Sequence, residues 1–220
     1  MLSGDRRDPF LYTGFMYKIL LMGPQGSGKG TQAERLSADL GIPAFGMGQL
    51  IREEITRGSK HGKNLERIIM RGDLISDTEA ADLLKRRLSS QDTQHGYILD
   101  GYPRNIEQYN AFDFDQPTHV LVIDIPREES LRRLSGRLTC DGCNKIGIMS
   151  RTLQPGDPCG CGGVWRQRKD DEPSAINNRL TIYEEETAPV IARYEKDGLV
   201  HHVDGVGDPG QVSERIRGAL

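Results

Sequence analysis

The stretch Gly23-Pro24-Gln25-Gly26-Ser27-Gly28-Lys29-Gly30-Thr31 follows directly on the apolar run Tyr17-Lys18-Ile19-Leu20-Leu21-Met22. A strand-sized apolar run, a glycine loop and a helical pattern in immediate succession leave few folds open, because such a loop needs a strand to deliver it and a helix to close it. Gly23, Gly26 and Gly28 let the backbone turn its amide N–H groups inward, and a helix starting near Lys29 aims the positive end of its dipole at whatever the loop encloses. Lys29 adds a point charge. The spacing is G-x-x-x-x-G-K, which builds a cradle for phosphate. One position departs from the usual pattern: Gly30 stands where a serine or threonine would meet a magnesium ion, and Thr31 is the first hydroxyl available.

Downstream, short apolar runs alternate with stretches of helical period, the signature of a parallel sheet covered by helices. Strands are expected at Lys18 to Met22, Pro43 to Phe45, Tyr97 to Leu99, Val120 to Ile125 and Leu199 to Val203. Helices are expected from Lys29 to Leu40, Gln49 to Arg57 and Lys63 to Arg71, stopped by Gly41, Gly58 and Gly72 in turn. Asp77 is read as the cap of a helix reaching Leu88; Glu128 to Leu138 and a long charged helix from Ala175 to Lys196 complete the set. Between Thr139 and about Gln167 the texture changes to Gly, Pro and Cys, too poor in aliphatic residues to build its own core, so it reads as an inserted subdomain.

With 220 residues, 36% of them apolar, the chain has enough material for one main domain. A net charge of −3 offers no broad attraction to nucleic acid or an anionic membrane, so phosphate recognition has to be local. The longest apolar stretches are far short of the roughly 20 residues that span a bilayer. Residues 1–16 lack a secretory signal's apolar segment and are expected to be a disordered extension. All four cysteines lie between Cys140 and Cys161, which suits a local metal site in a reducing compartment, and the expected location is the cytoplasm.

The order G-P-x-G-S-G-K-G-T, with glycine after the lysine and threonine next, resembles the adenylate kinase family of nucleoside monophosphate kinases. The likeness continues through GQLIRE (Gly48 to Glu53), GDLISD (Gly72 to Asp77), GYILDGYPRNIEQ (Gly96 to Gln108), RLSGRL (Arg133 to Leu138), RKDDEP (Arg168 to Pro173), NNRL (Asn177 to Leu180) and TAPVI (Thr187 to Ile191). It covers residues 17–220. The resemblance implies a P-loop kinase fold, an α/β architecture with a five-stranded parallel sheet wrapped by helices, a monophosphate-binding segment at 46–75 and a cysteine-containing lid at 138–170. It implies reversible phosphoryl transfer, ATP + AMP ⇌ 2 ADP, with magnesium, in a monomer that serves adenine nucleotide balance.

By the same resemblance, Lys29, Asp100, Arg104, Arg137, Arg168 and Arg179 are the catalytic set. Gly26, Ser27, Gly28, Lys29, Gly30, Thr31, Arg133 and Arg137 hold ATP, with Arg133 along its base. Met47, Gly48, Arg52, Ile75, Gly101, Arg104, Gln108, Arg168 and Arg179 hold AMP, with Arg52 and Arg104 clamping its phosphate and Gln108 reading its adenine. Asp100, at the carboxyl edge of its strand, would hold magnesium-bound water or else merely cap the segment that follows. Asp170 and Asp171 orient arginines or cap a helix. The chemistry suits this inventory, since an anionic phosphate oxygen needs no general base and catalysis reduces to positioning and charge neutralisation by guanidinium forks.

Two departures bear on specificity. Gly46-Met47-Gly48-Gln49 stands where the family most often has S-T-G-D, which deletes a hydroxyl near the AMP base and a carboxylate near magnesium. AMP is expected to remain the acceptor with reduced affinity; the alternatives are a kinase preferring another monophosphate and a non-catalytic nucleotide sensor. The lid has Gly147 and Ile148 near positions where an aromatic-histidine pair is common. Cys140, Cys143, Cys159 and Cys161 form a C-x-x-C and a shorter C-x-C pair suited to structural zinc, with free or disulfide-bonded thiols as the rival. In the shorter pair, Cys159 is expected to bind poorly or yield to Asp157. A zinc ribbon for nucleic acid is disfavoured by the acidic balance and the single Trp165.

Overall fold

A computed structural model describes residues 16–70, 75–143, 145–167 and 171–220. Five parallel strands form the main sheet: β1 (Tyr17–Met22), β2 (Ala44–Gly46), β3 (Gly96–Asp100), β4 (His119–Asp124) and β8 (Val200–Asp204), in the order β2-β3-β1-β4-β8. β1 lies at the centre, paired with β3 through Leu20↔Leu99 and with β4 through Leu21↔Leu121. Covered on both faces, β1 is apolar almost throughout, and the two-residue period of the strand splits it between two cores. Leu20 and Met22 pack with Leu99 and Val122 on one face; Ile19 and Leu21 pack with Ile98, Leu121 and Ile123 on the other.

Helices close both faces. The first core is roofed by α2 (Met47–Thr56), α3 (Lys60–Met70), α4 (Asp77–Leu88) and α8 (Ala188–Lys196), through Leu50, Leu65, Leu84 and Tyr194 among others. The second is roofed by α1 (Lys29–Leu40) and α9 (Pro209–Arg217), through Leu36, Val212 and Ile216. Leu20, Leu99 and Leu121 are fully buried, so truncating any one to alanine costs about 2–5 kcal/mol.

Several boundaries differ from expectation for identifiable reasons. The helix expected over Glu128 to Leu138 is α6 (Arg127–Ser135); the chain breaks at Gly136, and Arg137–Cys140 leaves as strand β5. The long helix expected from Ala175 is α7 (Pro173–Ile182), a π-helical turn at Tyr183–Thr187, then α8. Pro189, two residues past that turn, has no N–H to continue a regular ladder. Ser76, not Asp77, caps α4, in a capping box with Glu79. Two helices carried signals not read from the sequence: α5 (Ile106–Ala111), capped by Asn105, and α9, opened by an Asp208–Gln211 capping box with Pro209 in the first turn. The expected stop at Gly72 lies outside the described residues.

The cysteine insert is a second sheet of three antiparallel strands, β6 (Ile146–Ile148), β5 (Arg137–Cys140) and β7 (Trp165–Gln167), with β5 in the middle. Its core is as thin as its composition suggests: Leu138, Cys140 and Trp165, with Met149, Leu153 and Cys159 against them. The Trp165 ring and Leu153 occupy the space above Gly147, where a Cβ would come within 3.0 Å of the ring and 2.7 Å of Leu153. The one indole thus fills what a side chain at 147 would occupy.

Candidate active site

The loop after β1 is tightly placed. Gly23 has φ of 134° and lies so close to the end of β4 that a Cβ would sit 2.4 Å from the Ile123 carbonyl oxygen. α1 begins after Gly28 with no side-chain cap and no acidic residue in its first turn, so its positive end remains available to an anion. Gln25 Oε1 and Ser27 Oγ are buried beside it without a hydrogen-bond partner. Buried polar atoms are nearly always paired, and two orphans in one loop mark a place built for a polar guest. Lys29 reaches back across the loop, its Nζ donating to the carbonyl oxygens of Gly23 at 2.8 Å and Pro24 at 2.9 Å. Gly26, Gly30 and Thr31 line the same turn, all partly exposed.

Asp100 ends β3 beside this loop, as an acid at the carboxyl edge should. A Cβ on Gly30 would lie 3.7 Å from Asp100 Oδ2, so a carboxylate oxygen stands next to the position whose hydroxyl is missing. Burial raises the Asp100 pKa, opposed by the charges of Lys29 and Arg104. Burial lowers Lys29 to about 8; Asp100 resists the shift, and the positive charges of Arg104, Arg179 and Arg137 add to it. Five of the six predicted catalytic residues therefore share one electrostatic neighbourhood. The sixth, Arg168, lies outside the described residues, as does Asp170.

The arginines are held by different devices, two of them by one shared acid. Arg137, on β5, meets Asp171 through both carboxylate oxygens, and Arg179, on α7, reaches the same Asp171 at 3.4 Å. Of the two readings for Asp171, the geometry gives the arginine partner: α7 is preceded by Glu172, and Asp171 is 1% exposed. Arg104 follows a cis Tyr102-Pro103 bond; its Nε donates to the Gly101 carbonyl at 2.7 Å, and its own carbonyl accepts the Thr187 hydroxyl at 2.8 Å. Arg133 is more occupied than expected of a group lying along a base. It donates to Glu129 Oε1, the Gly26 carbonyl and the Gly205 carbonyl, so its edge staples α6, the phosphate loop and the end of β8. Beside it, Asp124, Ile125, Pro126, His202, Asp204 and Val206 line an open cleft of about 350 Å³.

On the other side of Asp100, Arg52 on α2 folds over Gly48, its NH1 3.3 Å from where a Cβ would stand. Met47 is 9% exposed and belongs to the main core, so its thioether packs inward. Gln49 donates to Glu53 one turn on, at 2.8 Å. Ile75 is half-buried against the main core, and Gln108 on α5 is half-buried with its carboxamide bonded at both ends.

The sequence model of the family described as Adenylate kinase matches residues 21–199. The chain belongs to the adenylate kinase family. Curated relatives named Adenylate kinase agree: that of Methanosarcina barkeri is 38% identical over 212 residues, spanning 92% of this chain and 97% of its own. That of Methanothrix thermoacetophila is 39% identical over 209 residues, with the same coverage, and that of Xanthomonas euvesicatoria pv. vesicatoria is 38% identical over 209 residues. Family membership makes the chain a nucleotide-binding transferase, an adenylate kinase enzyme.

In this adenylate kinase family member the four cysteines of the insert converge: their sulfur atoms all lie within 4.8 Å of one another, with Cys140 to Cys161 at 3.4 Å and Cys143 to Cys159 at 3.9 Å. A tetrahedral zinc with Zn–S bonds of about 2.3 Å needs sulfurs about 3.8 Å apart, so the donor set fits that ion. Cys159 lies within the sulfur cluster, whereas Asp157 accepts the Gln154 backbone N–H at 2.7 Å. The short second pair is accommodated by glycine: a Cβ on Gly163 would sit 2.8 Å from Cys140 Sγ and 2.7 Å from the Gly142 nitrogen. The His201-His202 pair is not part of this cluster; His202 bridges Asp124 at 2.6 Å and Glu195 at 3.0 Å. Among the described residues no helix is long and apolar enough to cross a membrane.

Two supporting residues went unread in the sequence, Glu129, which holds Arg132 and Arg133, and Thr187, which ties the π-helical turn to Arg104; Asp77 was read only as a helix cap, not as the partner of Gln108. Bidentate bonding to Arg132, with Arg133 beside it, holds Glu129 down to about 2. The i,i+4 spacing of Glu129 and Arg133 on a helix was the one available signal.

Proposed function

We propose that this chain carries out the magnesium-dependent reaction ATP + AMP ⇌ 2 ADP, with ATP in the glycine loop and AMP between Arg52, Arg104 and Gln108. The observation that carries the reading is the field around Lys29, in which Asp100, Arg104, Arg137 and Arg179 all act on one lysine at the mouth of the phosphate loop. Such a concentration of positive charge is costly in an empty protein and suits a guest with several negative oxygens.

In this reading the loop amides and Lys29 take the phosphates of ATP, while Arg52 and Arg104 present the AMP phosphate from the opposite side. Arg137 and Arg179, fixed by Asp171, face the phosphoryl group between the two nucleotides, joined by Arg168. No residue need remove a proton, because the attacking AMP oxygen is already an anion; the protein aligns donor and acceptor and spreads the charge of the transferring group. Asp100 would hold magnesium-bound water, and the ion, when bound, would neutralise part of the phosphate charge. The insert at 138–170 acts as a lid whose closure brings Arg168 and excludes water that would otherwise take the phosphoryl group. Structural zinc shapes that lid. The names of the relatives favour AMP as acceptor over another monophosphate, and the arginine set argues against a silent sensor.

The test is a coupled ADP-formation assay with ATP, magnesium and each of AMP, CMP, UMP, GMP and dTMP, with Lys29→Ala as control. AMP is expected to be the best acceptor and Lys29→Ala to lose turnover while keeping its fold. Preference for another monophosphate would reject the acceptor assignment.

A further inference from the structure

Asp77 sits in the first turn of α4, 31 residues before Gln108 in the chain, yet its Oδ1 accepts a hydrogen bond from Gln108 Nε2 at 2.9 Å. The other end of the same carboxamide is also engaged: Gln108 Oε1 accepts the Arg104 backbone N–H at 2.9 Å. An ionised carboxylate can only accept and a backbone N–H can only donate, so the two contacts leave the amide a single orientation. The Gln108 backbone is pinned as well, its N–H donating to the Asn105 side chain at 2.8 Å. After these bonds the carboxamide retains one N–H and one oxygen lone pair, their positions fixed relative to each other and to the Arg104 backbone.

We infer that Asp77 is a specificity-determining positioning residue, one that locks the Gln108 carboxamide so that it fits a 6-aminopurine and opposes a 6-oxopurine. This rests on the proposed reading of Gln108 as the group that meets the acceptor base. The two base types present opposite patterns on the edge concerned. Adenine offers an N6–H donor beside the N1 acceptor; hypoxanthine and guanine offer an O6 acceptor beside an N1–H donor. A freely rotating amide serves either by a half-turn about its last torsion. A locked amide serves one and sets oxygen against oxygen with the other, a repulsion that rejects the wrong base more strongly than a lost contact would. The lock also compensates for Met47, which is packed into the core and offers the base no hydroxyl.

The experiment measures kcat and KM for AMP and for IMP at saturating ATP, with KM for ATP and thermal unfolding as controls, in the intact enzyme and in Asp77→Ala, Asp77→Asn and Gln108→Ala. Asp77→Ala is expected to lower the ratio of kcat/KM for AMP to that for IMP about tenfold, the effect of releasing one orienting hydrogen bond, mainly through KM. Asp77→Asn keeps an acceptor oxygen in place and should stay within about threefold of the intact enzyme's ratio. Asp77→Asn as damaging as Asp77→Ala would assign the effect to the charge at the start of α4 and overturn the inference. So would Asp77→Ala with the AMP to IMP ratio intact while Gln108→Ala is impaired with AMP. If Gln108→Ala uses AMP as well as the intact enzyme does, the acceptor-base reading itself is what falls.

Discussion

Arg137 meets Asp171 edge to edge, Nε to Oδ2 at 2.7 Å and NH2 to Oδ1 at 2.5 Å, and the carboxylate they share with Arg179 is 1% exposed. One buried acid thereby fixes two guanidinium groups that arrive from different elements, β5 of the insert and α7 of the main body. Removing one member of a buried ion pair strands the rest, at a cost of about 3–5 kcal/mol. Asp171→Ala is expected to lower the unfolding free energy by that order and to reduce kcat at least tenfold, more than it raises either KM. Urea unfolding and steady-state kinetics check both; full turnover in a folded Asp171→Ala would remove Asp171 from the arginine-orienting role.

Lys29, at about 8 in the empty protein, is protonated below that pH and neutral above it. The rate constant kcat/KM for ATP reports the free enzyme and should therefore fall above pH 8, approaching tenfold per unit, whereas kcat should hold to higher pH because bound phosphates restore the charge on Lys29. A profile in which both parameters fall together would contradict this. The stability sign is opposite. Between pH 8 and the ordinary lysine value near 10.5 the unfolded chain binds a proton that the folded chain does not, so this residue's contribution to stability improves as pH rises. Lys29→Met should accordingly lose activity by about 100-fold or more while melting no earlier than the intact protein.

The four-sulfur cluster predicts one zinc per chain by elemental analysis. A bound metal would supply folding energy that a core of Leu138, Cys140 and Trp165 cannot. Since Trp165 is the one tryptophan and 8% exposed, its emission should shift to the red when a chelator removes the metal, with the main sheet still folded by circular dichroism. Metal-free protein with unaltered emission and lid protease resistance would refute a structural ion. Gly147→Ala should weaken the insert even with metal present, because Leu153 and the indole occupy the added methyl's place.

His202 stands between Asp124 at the end of β4 and Glu195 on α8, and hydrogen bonds to both raise its pKa, Glu195 contributing most. Its stabilising effect is fully present below the unfolded value near 6.5 and is lost as pH rises through the raised folded value. The ring is 52% exposed, so solvent screening limits the gain to less than about 1 kcal/mol. His202→Gln should lower the melting temperature at pH 6 and leave it unchanged at pH 9; an equal loss at both would point to packing.

The sheet was readable because β1 and β4 are buried on both faces and so are written as unbroken apolar runs; β2, three residues long, was legible only in outline. The phosphate loop declared itself through glycines whose positive φ no other residue adopts comfortably, Gly23, Gly26 and Gly28. The end of α6 was misread because Arg137 and Leu138 continue a helical period, and only pairing with Ile148 and Gln167 makes them a strand. The arginines were expected from the family resemblance, and Asp171 as a residue that orients arginines, but not which support holds which arginine. Asp171 for Arg137, Glu129 for Arg133 and Thr187 for Arg104 are 34, 4 and 83 positions away, and only the local pair leaves a trace in a linear pattern.

Arg133 gives hydrogen bonds to Glu129, to the Gly26 carbonyl and to the Gly205 carbonyl. One side chain thus stitches together three stretches of chain that would otherwise be free to drift apart when no nucleotide is present. If the donor nucleotide binds where proposed, its walls would already be standing before it arrives, with little ordering left to do on binding. The insert lies beyond this stitch, so the closure proposed for it would leave those walls in place.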